Sequence, residues 1–165
     1  MDYPGDNYLN DRMERLDIGT PELGLLANML RKVDFFTPLT VRQLERVLSH
    51  ALLYSYGAGE TVFRQGRPGD AFYIIYKGRV DVRLKSFLWC KKTVAVLGPG
   101  DFFGEIALIS NEPRNATVTC AESTLLFTFI SEDFRFILQE NPAAAAEMRG
   151  IAARRKFDSA SRSAS

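Results

Sequence analysis

Residues 103–118 read Phe-Gly-Glu-Ile-Ala-Leu-Ile-Ser-Asn-Glu-Pro-Arg-Asn-Ala-Thr-Val. Gly98, Pro99, Gly100 and two phenylalanines precede Gly104, so a flexible loop feeds into residues 105–109. Those residues are good helix formers, but the run is only about one to two turns long. A helix this short is marginal alone, so tertiary contacts or a ligand must hold it. Its first backbone N–H groups lack partners inside the helix and, with the local dipole, suit an anion. Arg114 follows a turn marked by Ser110, Asn111 and Pro113. A guanidinium can hold a phosphate through two hydrogen bonds. Glu105 would repel that anion, but it can accept from a hydroxyl such as a sugar 2′-OH. Spaced nine positions apart, the two residues suit a ligand with a sugar hydroxyl beside an anion. They could equally pair with each other across a surface turn, and the residues alone leave both readings open.

The remaining composition narrows the classes. The chain has 165 residues, enough for one domain with a real core, and is 46% hydrophobic and 25% charged. A net charge of +1 gives no overall electrostatic case for nucleic acid. No apolar run is long enough to span a bilayer, and the first residues, Met-Asp-Tyr-Pro-Gly-Asp, do not read as a secretory leader. Cys90 and Cys120 have no metal-ligand spacing and read as free thiols of a cytoplasmic protein. His50 is the single histidine, which argues against a histidine-cluster metal site and a metal-dependent enzyme.

Along the chain, residues 1–19 form an acidic arm, with five carboxylates against two arginines. The arm is expected to be flexible, with a helical turn near residues 11–16. Thr20-Pro21-Glu22 reads as a capped helix start running to about Lys32, with Leu23, Leu26, Leu30 and Val33 inward. Thr40 with Gln43 makes a capping box for a second helix to about Ser49, with Leu44, Val47 and Leu48 inward.

From Ala51 the period changes to that of strands. Segments 51–56, 61–63, 71–77, 79–86, 93–97, 116–121 and 124–130 read as short strands between glycine-rich turns, the signature of an antiparallel sandwich or barrel. Ser131 starts a helix to about Glu140, and Asn141-Pro142 starts another to about Phe157. Residues 158–165 are small and polar, an expected disordered tail. From Arg149 on, five cations face Asp158, a basic helix that suits an acidic partner or simply a solvated face. Phe87-Leu88-Trp89-Cys90-Lys91-Lys92 reads as an apolar hairpin tip, open to partner contact or to folding back on the strands.

Residues 103–118 resemble the phosphate-binding cassette of the cyclic nucleotide-binding domain family. That pattern is approximately Phe-Gly-Glu-Ile/Leu-Ala-Leu, a short gap, then Pro-Arg-x-Ala-Thr/Ala-Val. The likeness extends to Gly59-Glu60, Gly66, Phe72-Tyr73-Ile74-Ile75 and Gly78-Arg79-Val80-Asp81-Val82. It implies a mainly β fold: an antiparallel jelly-roll barrel at 51–130 with a helical bundle at 20–50. The C-terminal helices at 131–157 follow, the last of them a lid. Carried over, Glu105 takes the ribose 2′-OH and Arg114 the cyclic phosphate. Phe103, Gly104, Ile106, Ala107, Asn115 and Ala116 line the cassette. Val82, Val94 and Leu97 would wall the base, with plain core packing as the other reading.

Arg149, by its offset from Pro142, is the side chain expected over the base, with Met148, Ile151 or Ala152 as apolar alternatives. The implied ligand is cAMP, with cGMP second; no cofactor is implied. In the family a threonine after the arginine often accompanies a cGMP preference, and alanine or serine is common in cAMP binders. Asn115 fits neither pattern, and is expected to select weakly. Binding would close the lid, move the helices and pass a signal to an unidentified downstream protein. Too few residues follow residue 157 for an output domain, so the expectation is a free-standing sensor or an excised regulatory part of a channel or kinase. A jelly-roll interaction module with an unoccupied site is the remaining alternative.

Overall fold

The computed structural model describes residues 13–85 and 90–163, with side chains up to Lys156. Three local rules set the N-terminal helices. Helix α1 (Thr20–Lys32) starts after Gly19, whose N–H donates to the Glu22 carboxylate at 3.0 Å. The cap is therefore Gly19; Thr20, expected to cap, is the first helical residue. A 3₁₀ turn, Asp34–Phe36, then drives Phe35 and Phe36 into full burial. Helix α2 (Val41–Ser49) has the expected capping box, with Gln43 N–H donating to Thr40 Oγ1 and Thr40 N–H to Gln43 Oε1.

The strands are β1 (Glu14–Leu16), β2 (Leu52–Tyr56), β3 (Thr61–Phe63), β4 (Ala71–Lys77), β5 (Val80–Lys85), β6 (Lys91–Leu97), β7 (Phe102–Phe103), β8 (Thr117–Cys120) and β9 (Thr124–Ile130). Helices α3 (Ile106–Ile109), α4 (Ser131–Glu140) and α5 (Pro142–Ser163) complete the chain. Every strand pairing among the described residues is antiparallel. One sheet runs β1-β2-β9-β4-β7 and the other β3-β8-β5-β6. The expected barrel is thus two antiparallel sheets, and the fold is mainly β with flanking helices.

Strand β4 shows why the core has two layers. Its side chains alternate, and both faces are buried. Ala71, Tyr73 and Ile75 join Phe63, Val80, Val118 and Leu126 between the sheets. Phe72 and Ile74 face the other way, joining Leu26, Leu30, Phe35, Phe36, Phe134 and Met148 under the helices. An aromatic chain crosses that second layer, with Phe72 beside Phe36 at 5.2 Å, Phe102 at 5.7 Å and Phe129 at 5.6 Å. Helix α5 contributes a narrow inner stripe of Ala144, Ala145, Met148 and Ala152. These small side chains let it lie close to the 3₁₀ turn and α3. Asn141 caps α5 through Ala144 N–H and also donates to Gln43, tying α5 to the start of α2.

Four expectations change. Residues 14–16 are not a helical turn but an edge strand, stabilised by pairing with Leu53–Ser55 of β2; residues 1–12 of the arm lie outside the described residues. Leu23 is 39% exposed, because the α1 stripe is covered only from Leu26 onward. Helix α5 continues to Ser163, through most of the expected tail. The hairpin of β5 and β6 closes at Lys85↔Lys91; Phe87, Leu88 and Trp89 at its tip lie outside the described residues.

The local packing leads to three predictions. Gly78 has φ +96°, and a Cβ there would lie 2.5 Å from both the Ser123 carbonyl oxygen and Thr124 Oγ1. Gly78→Ala is expected to cost about 2–4 kcal/mol in urea unfolding. Gly24→Ala, with open space in mid-helix, should stabilise by roughly 0.5–1 kcal/mol. Burial pushes the Cys120 thiol up to about 11, whereas Cys90 is exposed. Ellman's reagent at mild alkaline pH should therefore titrate Cys90 in the native protein and Cys120 only after denaturation; equal rates would contradict the described packing.

Candidate ligand site in the cassette

The cassette is built around a buried arginine. Arg114 is 6% exposed, and a buried permanent charge must find compensation nearby. Its Nη2 donates to the Ala71 carbonyl at 2.9 Å and Nη1 to the Gly104 carbonyl at 3.4 Å. Its guanidinium lies 3.9 Å from the centroid of the Phe63 ring. The nearest carboxylate, Asp70, is 3.7 Å from Nη2 and half-exposed. The Nε–H is buried with no hydrogen-bond partner. A charged donor left unpaired inside a protein is costly, so this arginine is set up to receive an acceptor.

Gly104 makes this arrangement sterically possible. Its φ is +80°, and a Cβ would approach Arg114 Nη1 to 2.9 Å and the Ala71 oxygen to 3.1 Å. Helix α3 follows directly, with Ala107 N–H donating to the Gly104 carbonyl and Leu108 N–H to that of Glu105. Glu105 is 7% exposed. It does not pair with Arg114: its ion-pair partner is Arg155 of α5, at 3.5 Å, while that of Arg114 is Asp70. The simple surface-turn pairing of Glu105 with Arg114 is therefore not what the chain forms.

Glu105 and Arg114 open on one cavity of about 310 Å³. That volume lies at the lower end of small-molecule sites, roughly 300–1,000 Å³. Phe103, Gly104, Ile106, Ala107, Asn115 and Ala116 line it. So do Val82, Val94 and Leu97, brought together by the register Val80↔Leu97 and Val82↔Ala95 across β5 and β6. These three are half-buried rather than core. Asn115 is exposed at the rim.

Arg149 is not at this cavity. It lines a separate open groove of about 480 Å³ with Arg135, Asn111, Leu138 and Pro142. Seven residues after Pro142, a helix has risen about 10 Å and is still beside α4. Arg155 lies about 20 Å along the helix from Pro142 and lines the cavity instead. Its guanidinium lies 3.6 Å from the centroid of the Phe102 ring. Of the apolar alternatives, Met148 and Ala152 are buried in the helical layer and Ile151 packs partly buried against it. Lys156 pairs with Glu112 of the cassette turn, so two successive residues of α5 hold the cassette.

Nothing in the sequence marks Phe63, Phe102 or Arg155 as part of the site. The pairing Phe63↔Val118 carries Phe63 beneath Arg114, and that long-range register is not written in two short strands. Among the described residues no cluster of side chains could hold a metal ion, and no helix is long and apolar enough to cross a membrane.

Comparison with known proteins identifies the family. The model of the family "Cyclic nucleotide-binding domain" matches residues 53–141. A cyclic nucleotide-gated potassium channel of Mesorhizobium japonicum is 38% identical over 81% of this chain and 36% of its own length. The cyclic AMP receptor protein of Thermus thermophilus is 30% identical over 73% of this chain and 56% of its own. The chain thus spans between about a third and just over half of these two relatives. The regulatory domain of Toxoplasma gondii PKA, crystallised with cAMP, superposes with a TM-score of 0.73 at 28% identity, covering 82% of this chain and 50% of that one. With a buried arginine and a carboxylate opening on one cavity, and the family pattern matched across the strands that build it, the chain belongs to the cyclic nucleotide-binding domain family.

Proposed function

We propose that this domain is a cytoplasmic sensor of a 3′,5′-cyclic nucleotide, with cAMP favoured over cGMP. The carrying observation is the Nε–H of Arg114, buried without a partner, on the cavity that Glu105 also lines. A cyclic phosphate carries one negative charge and acceptor oxygens. It would satisfy that donor and balance a cation whose only described carboxylate neighbour is the half-exposed Asp70. Glu105 then accepts from the ribose 2′-OH, a donor that a carboxylate on this side of the phosphate can use without repulsion.

The base lies against Val82, Val94 and Leu97, an apolar wall suited to a purine face. Arg155, rather than Arg149, is the side chain of α5 placed to cover it. Asn115 presents an amide that both donates and accepts, so it selects weakly between purines. The names of the relatives that carry cAMP support the preference for that nucleotide.

The signal leaves through α5. This helix touches the cassette at Arg155 and Lys156 and packs on the helical layer through Met148 and Ala152. A ligand that changes the cassette contacts shifts the equilibrium of α5, to the extent that it binds the two states differently. The helical layer then presents a changed surface to a downstream protein. The site as a whole serves binding and regulation rather than catalysis.

Titration calorimetry tests the phosphate role. Arg114→Ala should weaken cAMP binding by at least roughly tenfold, the loss of a charge-assisted bond of about 1.5–3 kcal/mol. Arg114→Lys keeps the charge but not the fork, and should also weaken binding. Unchanged affinity in both variants would remove the assignment. For the base, Asn115→Thr should change the ratio of cAMP to cGMP affinity by less than about threefold. A large loss of discrimination would make Asn115 the selector instead.

A further inference from the structure

The ion pair between Arg155 and Glu105 bears on how the ribose is read. Glu105 is nearly buried, its side chain 10% exposed, and Arg155, 41% exposed, supplies a counter-charge at 3.5 Å. The relation is unequal. Arg155 also rests on the Phe102 ring and keeps access to water. It therefore stays placed over the cavity whether or not it bonds the carboxylate. Glu105, by contrast, sits where an unpaired charge is expensive.

From this we infer that Arg155 sets how much the sugar 2′-hydroxyl counts toward affinity, by holding Glu105 until that hydroxyl replaces it. The inference rests on the proposed place of the ribose at Glu105. Consider two ligands that differ only at the 2′ position. The ribonucleotide exchanges the Arg155–Glu105 contact for a hydroxyl–carboxylate hydrogen bond. The 2′-deoxy analogue leaves the Arg155–Glu105 contact in place. In the natural protein the carboxylate is partnered either way, so the hydroxyl adds little. Without Arg155, the deoxy ligand would close the cavity over an unpaired carboxylate, and discrimination against it should rise sharply. A specificity device of this kind differs from simple base cover. Removing a lid side chain weakens both ligands together, whereas removing a competitor for Glu105 separates them.

Lys156 provides the internal control. It pairs with Glu112 on the cassette turn, so its loss loosens α5 without uncovering Glu105.

Binding of cAMP and of 2′-deoxy-cAMP to the full chain should be measured for the natural protein, Arg155→Ala and Lys156→Ala. The ratio of the two dissociation constants is expected to increase at least about fivefold in Arg155→Ala. It should stay near the natural value in Lys156→Ala, whatever happens to the absolute affinities. Arg155 is half-exposed on the helix surface, so the substitution should leave the fold intact, and a melting curve of each variant checks this. An unchanged or smaller ratio in Arg155→Ala would overturn the inference, for example because Glu105 holds Arg155 and the hydroxyl together. An equal rise in Lys156→Ala would also overturn it, assigning the effect to helix attachment. If the natural protein bound neither nucleotide, the cyclic nucleotide reading itself would fall, a result distinct from binding with an unchanged ratio.

Discussion

The cassette depends on burying one guanidinium. Arginine keeps its charge at any physiological pH, so the chain must compensate Arg114 with geometry rather than by losing a proton. It does so with the carbonyls of Ala71 and Gly104, the face of Phe63 and the carboxylate of Asp70. Each contact restrains a different element: β3, β4, the loop before β4 and the start of the cassette. The two close glycines follow from the same requirement. A Cβ on Gly104 would press on Nη1, and one on Gly69 would lie 2.9 Å from the Ala107 methyl and 3.4 Å from the guanidinium carbon. The short α3, too weak to persist alone, is thus held by a frame that the arginine assembles. What that frame leaves over is one buried donor without an acceptor, so the same interaction explains both the fold of the segment and its readiness for an acceptor.

A second constraint links this site to the helices. Phe102 and Phe103 are neighbours on β7 and point to opposite faces. Phe103 stacks on Tyr73 at 5.0 Å, inside the layer that contains Phe63 and hence Arg114. Phe102 lies against Phe35 and Phe72 in the helical layer and carries Arg155 on its ring. One two-residue strand therefore touches the layer beside Arg114, the side chain of Arg155 on α5 and the aromatic chain under α1 and α2. Packed aromatic layers resist continuous deformation, so a shift of β7 is borne by both layers together.

Much of this was legible in the residues, for reasons that can be named. Strands β4 and β9 announced themselves because both faces are apolar and β-prone, and the box at Thr40 and Gln43 because its hydrogen bonds are local. The cassette was readable through its resemblance to the family pattern, since the spacing of Glu105 and Arg114 alone left a surface ion pair open. What stayed hidden depends on distant partners. Strand β1 is three residues of polar arm that become a strand only when β2 offers an edge. Strand β7 looks like a loop because Phe102 and Phe103 follow Gly98, Pro99 and Gly100. Cap choice at Gly19 over Thr20 is a one-residue matter that composition does not decide. Arg149 and Arg155 are both arginines on a basic helix. Which of them meets the cavity is set by where α5 crosses β6 and α3, a tertiary fact.

The two arginines at the cavity show why the site needs both kinds of environment. Arg114 is fixed from below by backbone and an aromatic ring, with almost no freedom, so it can orient a ligand group without moving. Arg155 meets the Phe102 ring and Glu105 at the surface, where such contacts are individually weak. The asymmetry sets a fixed side of the cavity against an exposed one. If both were buried, ligand arrival would change little beyond local bonding; if both were exposed, nothing would position the ligand. Glu105 lies between the two regimes, itself buried and paired with a half-exposed side chain, and Arg155 is the only ion-pair partner described for it. Glu105 is thereby joined to α5 with no intervening residue.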